Sequence, residues 1–160
     1  MSIAIRPIEK KDNAQLAQII RAAFVEHDAP RVGTAYADAS TDHLFELFET
    51  PNAVLWTAEV EGEVVGCGGL FPTEGLGEDC LELVKFYLSP KGRGKGIGKM
   101  LLEKSINLAR SEGYKSIYIE SLPHYATAVK MYEKAGFEHI PTSLGNSGHT
   151  ACNIFMLKKL

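Results

Sequence analysis

The sequence predicts one mixed α/β domain, and three observations predict it. Segments with strand-like alternation take turns along the chain with segments of helical periodicity. No internal repeat or low-complexity tract interrupts that order. A chain of 160 residues, 45% hydrophobic and 23% charged, has the size and composition of one domain with a real core.

The elements follow in order. Residues 2–8, SIAIRPI, alternate as a first strand, and DNAQLAQIIRAAFVEH carries Leu16, Ile19, Ile20, Ala23 and Phe24 at helical spacing. Asp12 and Gln15, three apart, have the pattern of a capping box for that helix. DAPRVGTAYADAS reads as a loop, after which Ser40 or Thr41 opens a short helix bearing Leu44, Phe45, Leu47 and Phe48. Two apolar runs around Glu61-Gly62 predict an antiparallel hairpin. CLELVKFYLSP is a fourth strand stopped by Pro90, and from Gly96 a helix with Ile97, Leu101, Ser105 and Leu108 on one side runs to Gly113. KSIYIESL is a strand, YATAVKMYEKAG a helix ended by Gly136, and FEHIPT and ACNIFMLKKL are the last strands.

Composition removes several classes of function. A formal charge of -3 and a pI near 6.0 give no global attraction to nucleic acid or to an anionic membrane. The amino terminus has neither signal-peptide nor membrane-span character. Cys67, Cys80 and Cys152 are odd in number and lack metal-type spacing, which predicts a reduced, cytoplasmic chain. His27, His43, His139 and His149 are scattered, and no HxxxH or paired Cys/His pattern suggests a metal.

One stretch asks for explanation. GRGKGIGK, residues 92–99, places Gly94, Gly96 and Gly98 between a strand and a helix. Such a turn points backbone N–H groups and the positive helix end into one concavity, a place for phosphate, with Arg93, Lys95 and Lys99 adding charge at its edges. A P-loop is excluded, because Arg93 stands where its first glycine belongs and Met100 where it needs Ser or Thr. A GxGxxG dinucleotide fingerprint fails in all frames, its third glycine falling on Ile97, Lys99 or Leu101.

Arg93-Gly94-Lys95-Gly96-Ile97-Gly98 resembles in full the signature of the GCN5-related N-acetyltransferases: Arg or Gln, two residues, Gly, one residue, Gly or Ala. The surroundings resemble that family too: VKFYLSP before the turn, KMLLEKSINLAR after it, then YIE and AVKMYEKAGF. The resemblance implies a twisted, mostly antiparallel sheet of about seven strands, splayed between strands 4 and 5 and flanked by helices. It implies acetyl-CoA as co-substrate in the gap, its pyrophosphate on the glycine turn, with no metal. The thioester and pantetheine arm would meet the backbone of Phe86, Tyr87 and Leu88. Where many members have a CoA-contacting asparagine, this chain has Tyr125, preceded by His124.

Acetyl transfer to an amine needs a base for the amine and an acid for the departing thiolate. By resemblance Tyr132 is the acid and Glu120 the base, with a water as the family's other route; Glu82 on the fourth strand is a further candidate base. Residues 28–50 and 143–150 would wall the acceptor site, offering Asp28, Arg31, Asp38, Asp42, His43 and His149. Arg31 for a carboxylate and the acidic residues for an amine favour a small amine or amino-acid-like acceptor. A protein or peptide amine is the second reading, and a non-catalytic acyl-CoA-binding module the third. Dimers are frequent in the family, so a homodimer is compatible with the resemblance. No nucleic-acid or membrane partner is expected.

Overall fold

The computed structural model describes residues 1–160. Seven strands form one sheet in the order β1-β2-β3-β4-β5-β7-β6. Strands β1 (Ile3–Pro7), β2 (Val54–Val60), β3 (Glu63–Phe71) and β4 (Cys80–Leu88) run antiparallel to one another in succession. Strand β5 (Ser116–Ser121) is parallel to β4, and β7 (Ile154–Lys159) lies antiparallel between β5 and β6 (Glu138–Ile140). The hairpin expected at Glu61-Gly62 forms, with both residues at positive φ (51° and 78°), as a tight two-residue turn requires.

The helices divide between the faces of the sheet. On one face α1 (Asn13–Glu26) and the single turn α2 (Leu44–Leu47) bury Leu16, Ile20, Phe24 and Leu44 against Leu55 and Cys67. On the other, α3 (Ile97–Ser111) and α4 (Ala126–Lys134) bury Leu102, Ile106, Val129 and Tyr132 against Leu81, Leu83, Ile117 and Ile119. Apolar burial of this kind contributes about 25 cal/mol per Å², so the 3.6-residue stripes of α1 and α3 hold them to the sheet.

The expected Asp12–Gln15 capping box does not form. Asp12 is 2% exposed, and its carboxylate accepts from both guanidinium nitrogens of Arg6, at 2.8 and 3.0 Å, and from the Glu9 N–H at 2.8 Å. Burial alone would raise its pKa, yet the Arg6 hydrogen bonds and the Glu9 N–H hold it low. The residue therefore fastens the start of α1 to β1 instead of capping the helix.

Two irregularities in β4 set up the site. Its pairing with β5 runs only from Cys80↔Ser116 to Leu83↔Ile119, so Val84–Leu88 diverge from β5 and leave a gap. Against β3, one extra β4 residue fits between the pairs Gly69↔Val84 and Cys67↔Tyr87, which is a β-bulge. Lys85 in that bulge has φ +56°, and the Cys67 thiol donates to its carbonyl at 3.0 Å. Leu81 and Leu83 before the bulge, and Phe86 and Leu88 after it, all pack toward α3 and α4, so the bulge changes the parity of the strand.

Candidate active site

The glycine turn is a left-handed kink feeding a helix. Gly94 and Gly96 have φ of 72° and 77°, where a Cβ is strained, while a Cβ on either would meet no close neighbour. Backbone shape therefore demands glycine at these two positions. Gly98 is different: a Cβ there would touch Met131 at 3.5 Å and Phe86 at 3.7 Å, inside the cleft. The first intrahelical bond of α3 is made by Met100 N–H to Gly96 carbonyl at 3.0 Å, so the N–H groups of Ile97, Gly98 and Lys99 point out of the helix end.

Those N–H groups border a cleft of about 490 Å³. Gly94, Gly96, Gly98 and Lys99 form one wall, Tyr125–Ala128 and Met131 the other, and Phe86, Tyr87 and Leu88 the floor between them. Lys99 is exposed and loosely paired with Glu103 at 3.8 Å. Arg93 borders the cleft with its charge engaged: it donates to the Leu88 carbonyl at 3.0 and 3.3 Å and pairs with the Glu26 carboxylate of α1. Ile97 is 1% exposed among Trp56 and Leu101, so only its backbone faces outward. Lys95 does not line the cleft.

Tyr125 separates this cleft from a second cavity. Its ring packs on Phe24, His27 and Tyr87, and its buried hydroxyl has no hydrogen-bond partner in the protein. Burial raises its pKa, so the phenol stays protonated. A buried donor without an acceptor is costly.

The second cavity, about 100 Å³, fills the gap between β4 and β5. Glu82, Lys85, Glu120, Tyr132, His149 and Cys152 bring its chemistry. Tyr132 is 4% exposed between Phe86 and Phe137, with ring centroids 5.8 and 6.0 Å away, and burial alone raises its pKa. Glu82 is 3% exposed; burial pushes its carboxyl up to about 7, against the lowering effect of a 2.6 Å hydrogen bond from Thr73 Oγ1, and Glu120 adds to the rise. Glu120 accepts from Tyr118 Oη at 2.7 Å and from Ser147 Oγ. His149 Nε2 lies 2.6 Å from Asp38 Oδ2. Cys152 is pushed up to about 12 by burial, so at neutral pH it is a thiol and not a nucleophile.

Several acceptor-wall residues expected from the sequence lie elsewhere. Arg31 is exposed, 5.2 Å over the ring of Tyr36. Asp42 is paired with Arg21 at 2.6 Å, and Asp28 and His43 are exposed outside the pocket. Of that set His149 lines the pocket, and Asp38 stands behind it in contact with Lys85 and His149. Lys85, Tyr118 and Ser147 were not singled out by sequence. Glu82 and Lys85 were visible as two charges in an apolar strand, but strict alternation assigns them to opposite faces.

The comparisons with known proteins agree with this geometry. Residues 14–137 match the model of the acetyltransferase (GNAT) family. The N-acetyltransferase YjgM of Escherichia coli is 38% identical over 160 residues, covering 99% of this chain and 96% of its own. An IAA acetyltransferase of Azospirillum brasilense is 32% identical over 125 residues, covering 76% and 79%. The fold is that of an acetyltransferase of Streptococcus agalactiae, with TM-score 0.83, 20% identity and coverage of 99% and 98%. It is also that of the PaiA N-acetyltransferase of Thermoplasma acidophilum, solved with coenzyme A, with TM-score 0.77, 20% identity and full coverage of both chains. The open helix end, the glycine-shaped cleft and the orphaned Tyr125 hydroxyl fit that cofactor. The chain belongs to the GNAT family, whose members are acetyl-CoA-dependent N-acetyltransferases.

Proposed function

We propose that this enzyme acetylates the amine of a small acceptor held between β4 and β5, by direct attack and without a covalent enzyme intermediate. The observation that carries the reading is the meeting of two cavities at β4. A cleft sized for a cofactor and a pocket holding a carboxyl of pKa about 7 share Phe86, Tyr87 and Tyr125 as walls. Acetyl-CoA supplies the activated acyl group; Gly94, Gly96, Gly98 and Lys99 would hold its phosphates, and Phe86–Leu88 its pantetheine arm.

Glu82 and Glu120 attract the protonated amine into the pocket. Glu82 then takes its proton, because a base whose pKa lies near the working pH is half deprotonated there and still strong enough to act. Glu120, braced by Tyr118 and Ser147, orients the amine. Tyr132 gives its phenolic proton to the departing sulfur; its raised pKa keeps that proton in place until then. The second proton that the attacking nitrogen sheds on becoming an amide restores the phenol through solvent. The high pKa of Cys152 argues against a thiol route. The small pocket, strapped by the β6–β7 loop through Asn146 N–H to the Glu74 carbonyl at 2.7 Å, favours a small acceptor over a peptide.

The test is release of free thiol from acetyl-CoA against a panel of amines and amino acids, for wild type and Tyr132→Phe. Amine-dependent release that falls about 100-fold or more in the variant, with cofactor affinity kept, is the expected result. Tight cofactor binding without turnover on any acceptor would instead make the chain an acyl-CoA-binding module.

A further inference from the structure

The acceptor pocket contains a cation that the transfer chemistry leaves unused. Lys85 is 9% exposed, and with the Glu82 carboxyl farther off in the same pocket its ammonium has one ion-pair partner within 4 Å, Asp38 Oδ2 at 3.7 Å. That distance is beyond a good hydrogen bond, and the same oxygen is already engaged by His149 Nε2 at 2.6 Å. An ammonium brings three donors, and a buried one needs acceptors to replace the water it lost. Burial lowers its pKa despite Asp38, as expected where compensation is incomplete.

The placement is built into the backbone. Lys85 occupies the β4 bulge at φ +56°, a conformation that costs energy for a residue with a Cβ. In a regular strand positions 82 and 85 point to opposite faces; with the bulge, Glu82 and Lys85 line one pocket. The pocket thus offers two carboxylates, Glu82 and Glu120, together with an under-bonded ammonium.

Resting on the transferase reading above, we infer that Lys85 determines acceptor specificity: the acceptor is an amine that also carries a carboxylate, its amine toward Glu82 and Glu120 and its carboxylate on the Lys85 ammonium. Asp38 and His149 are positioning residues, Asp38 steadying the ammonium and His149 steadying Asp38 from the β6–β7 loop. A plain amine leaves the Lys85 ammonium with only its long contact to Asp38, whereas an amino carboxylate completes both ends at once.

The experiment compares each standard L-amino acid with the amine left when its carboxylate is removed. Wild type, Lys85→Met, Lys85→Arg and Asp38→Asn are assayed by thiol release. Independently of turnover, the melting shift that each amino acid gives the CoA-saturated protein is recorded. In wild type the best amino acid should exceed its decarboxylated partner by at least about tenfold in kcat/KM. Lys85→Met should erase that preference, its loss on the amino acid appearing in KM and exceeding any change on the plain amine by at least about tenfold, and Lys85→Arg should restore part of it. Asp38→Asn should raise KM for the amino acid only. A wild-type preference for the plain amine, or an equal loss on both acceptors in Lys85→Met, overturns the inference. Melting shifts lost in Lys85→Met but without turnover on any acceptor would keep the carboxylate site and sink the transferase reading. Neither shifts nor turnover would overturn both.

Discussion

The two cavities that meet at β4 are made in opposite ways. The cofactor cleft is built from backbone: a left-handed pair at Gly94 and Gly96, the open end of α3, and a strand edge at Phe86–Leu88. The acceptor pocket is built from side chains on distant segments: Asp38 after α1, Glu82 and Lys85 on β4, Glu120 on β5, Tyr132 on α4 and His149 before β7. In the proposed reading the backbone-built cleft takes what all acetyltransfer shares, and the side-chain-built pocket takes what differs from one acceptor to another. Substitutions should therefore act through different properties in the two halves, charge and protonation in the pocket, shape and size in the cleft.

The sharpest break in the pocket is Glu82→Gln. It keeps the Thr73 contact geometry but removes the base, so kcat should fall about 100-fold, and the rise of rate with pH through about 7 should vanish. Stability should move the other way. The folded pKa of about 7 exceeds the ordinary 4.5, so the folded protein holds an extra proton between those values. Stability from this group then falls as pH rises from about 4.5 to about 7, and the buried charge costs its full amount above that window. Urea melts at about pH 5 and pH 8 should show a drop in wild type that Glu82→Gln lacks. An unchanged pH–rate profile would move the base to Glu120 or a water.

In the cleft the corresponding break is steric. Gly98 lies within α3 and its added Cβ meets only ordinary contacts, so Gly98→Ala should be tolerated or raise helix stability by up to about 1 kcal/mol. Gly98→Leu should fill the cleft and weaken CoA binding at least about tenfold, read by calorimetry, with the melting temperature held. Gly96→Ala tests the other requirement: at φ +77° it should cost about 1 kcal/mol of fold stability as well as affinity. If Gly98→Leu binds CoA normally, the cofactor does not approach the helix end.

The same division explains what could be read from the sequence. The cleft is local: eight residues between a strand and a helix carry its chemistry, and Gly94, Gly96 and Gly98 announce it. All seven strands were legible for a similar reason, since each shows as a short alternating or apolar run bounded by turn residues. The pocket depends on a bulge, and one inserted residue has no signature in apolar periodicity, so the convergence of Glu82 and Lys85 was hidden. Arg31 misled because loop residues were judged by charge alone, and its guanidinium stacks on nearby Tyr36 at the surface. Asp12 misled because a partner 6 residues back, Arg6, competed with the helix end for its carboxylate.

The mildest substitution probes the border of the cleft. Arg93 and Lys99 bring charge to a site otherwise built mostly from backbone, and the Arg93 guanidinium is divided between Glu26 and the Leu88 carbonyl. Both partners of the ion pair are substantially exposed, so Glu26→Gln should change stability by less than about 1 kcal/mol. The Leu88 bond should keep Arg93 at the turn, and relief of the Glu26 charge should leave CoA affinity the same or a few-fold higher. Arg93→Ala removes both ties and should weaken CoA binding more than Glu26→Gln does. Calorimetric titration of wild type and both variants at low and high salt separates the contributions, since a direct phosphate contact adds a salt dependence that Glu26→Gln keeps and Arg93→Ala loses. A clear loss of affinity in Glu26→Gln alone would mean that the ion pair aims Arg93 at the cofactor, and the cleft would then share the pocket's dependence on side chains brought from afar.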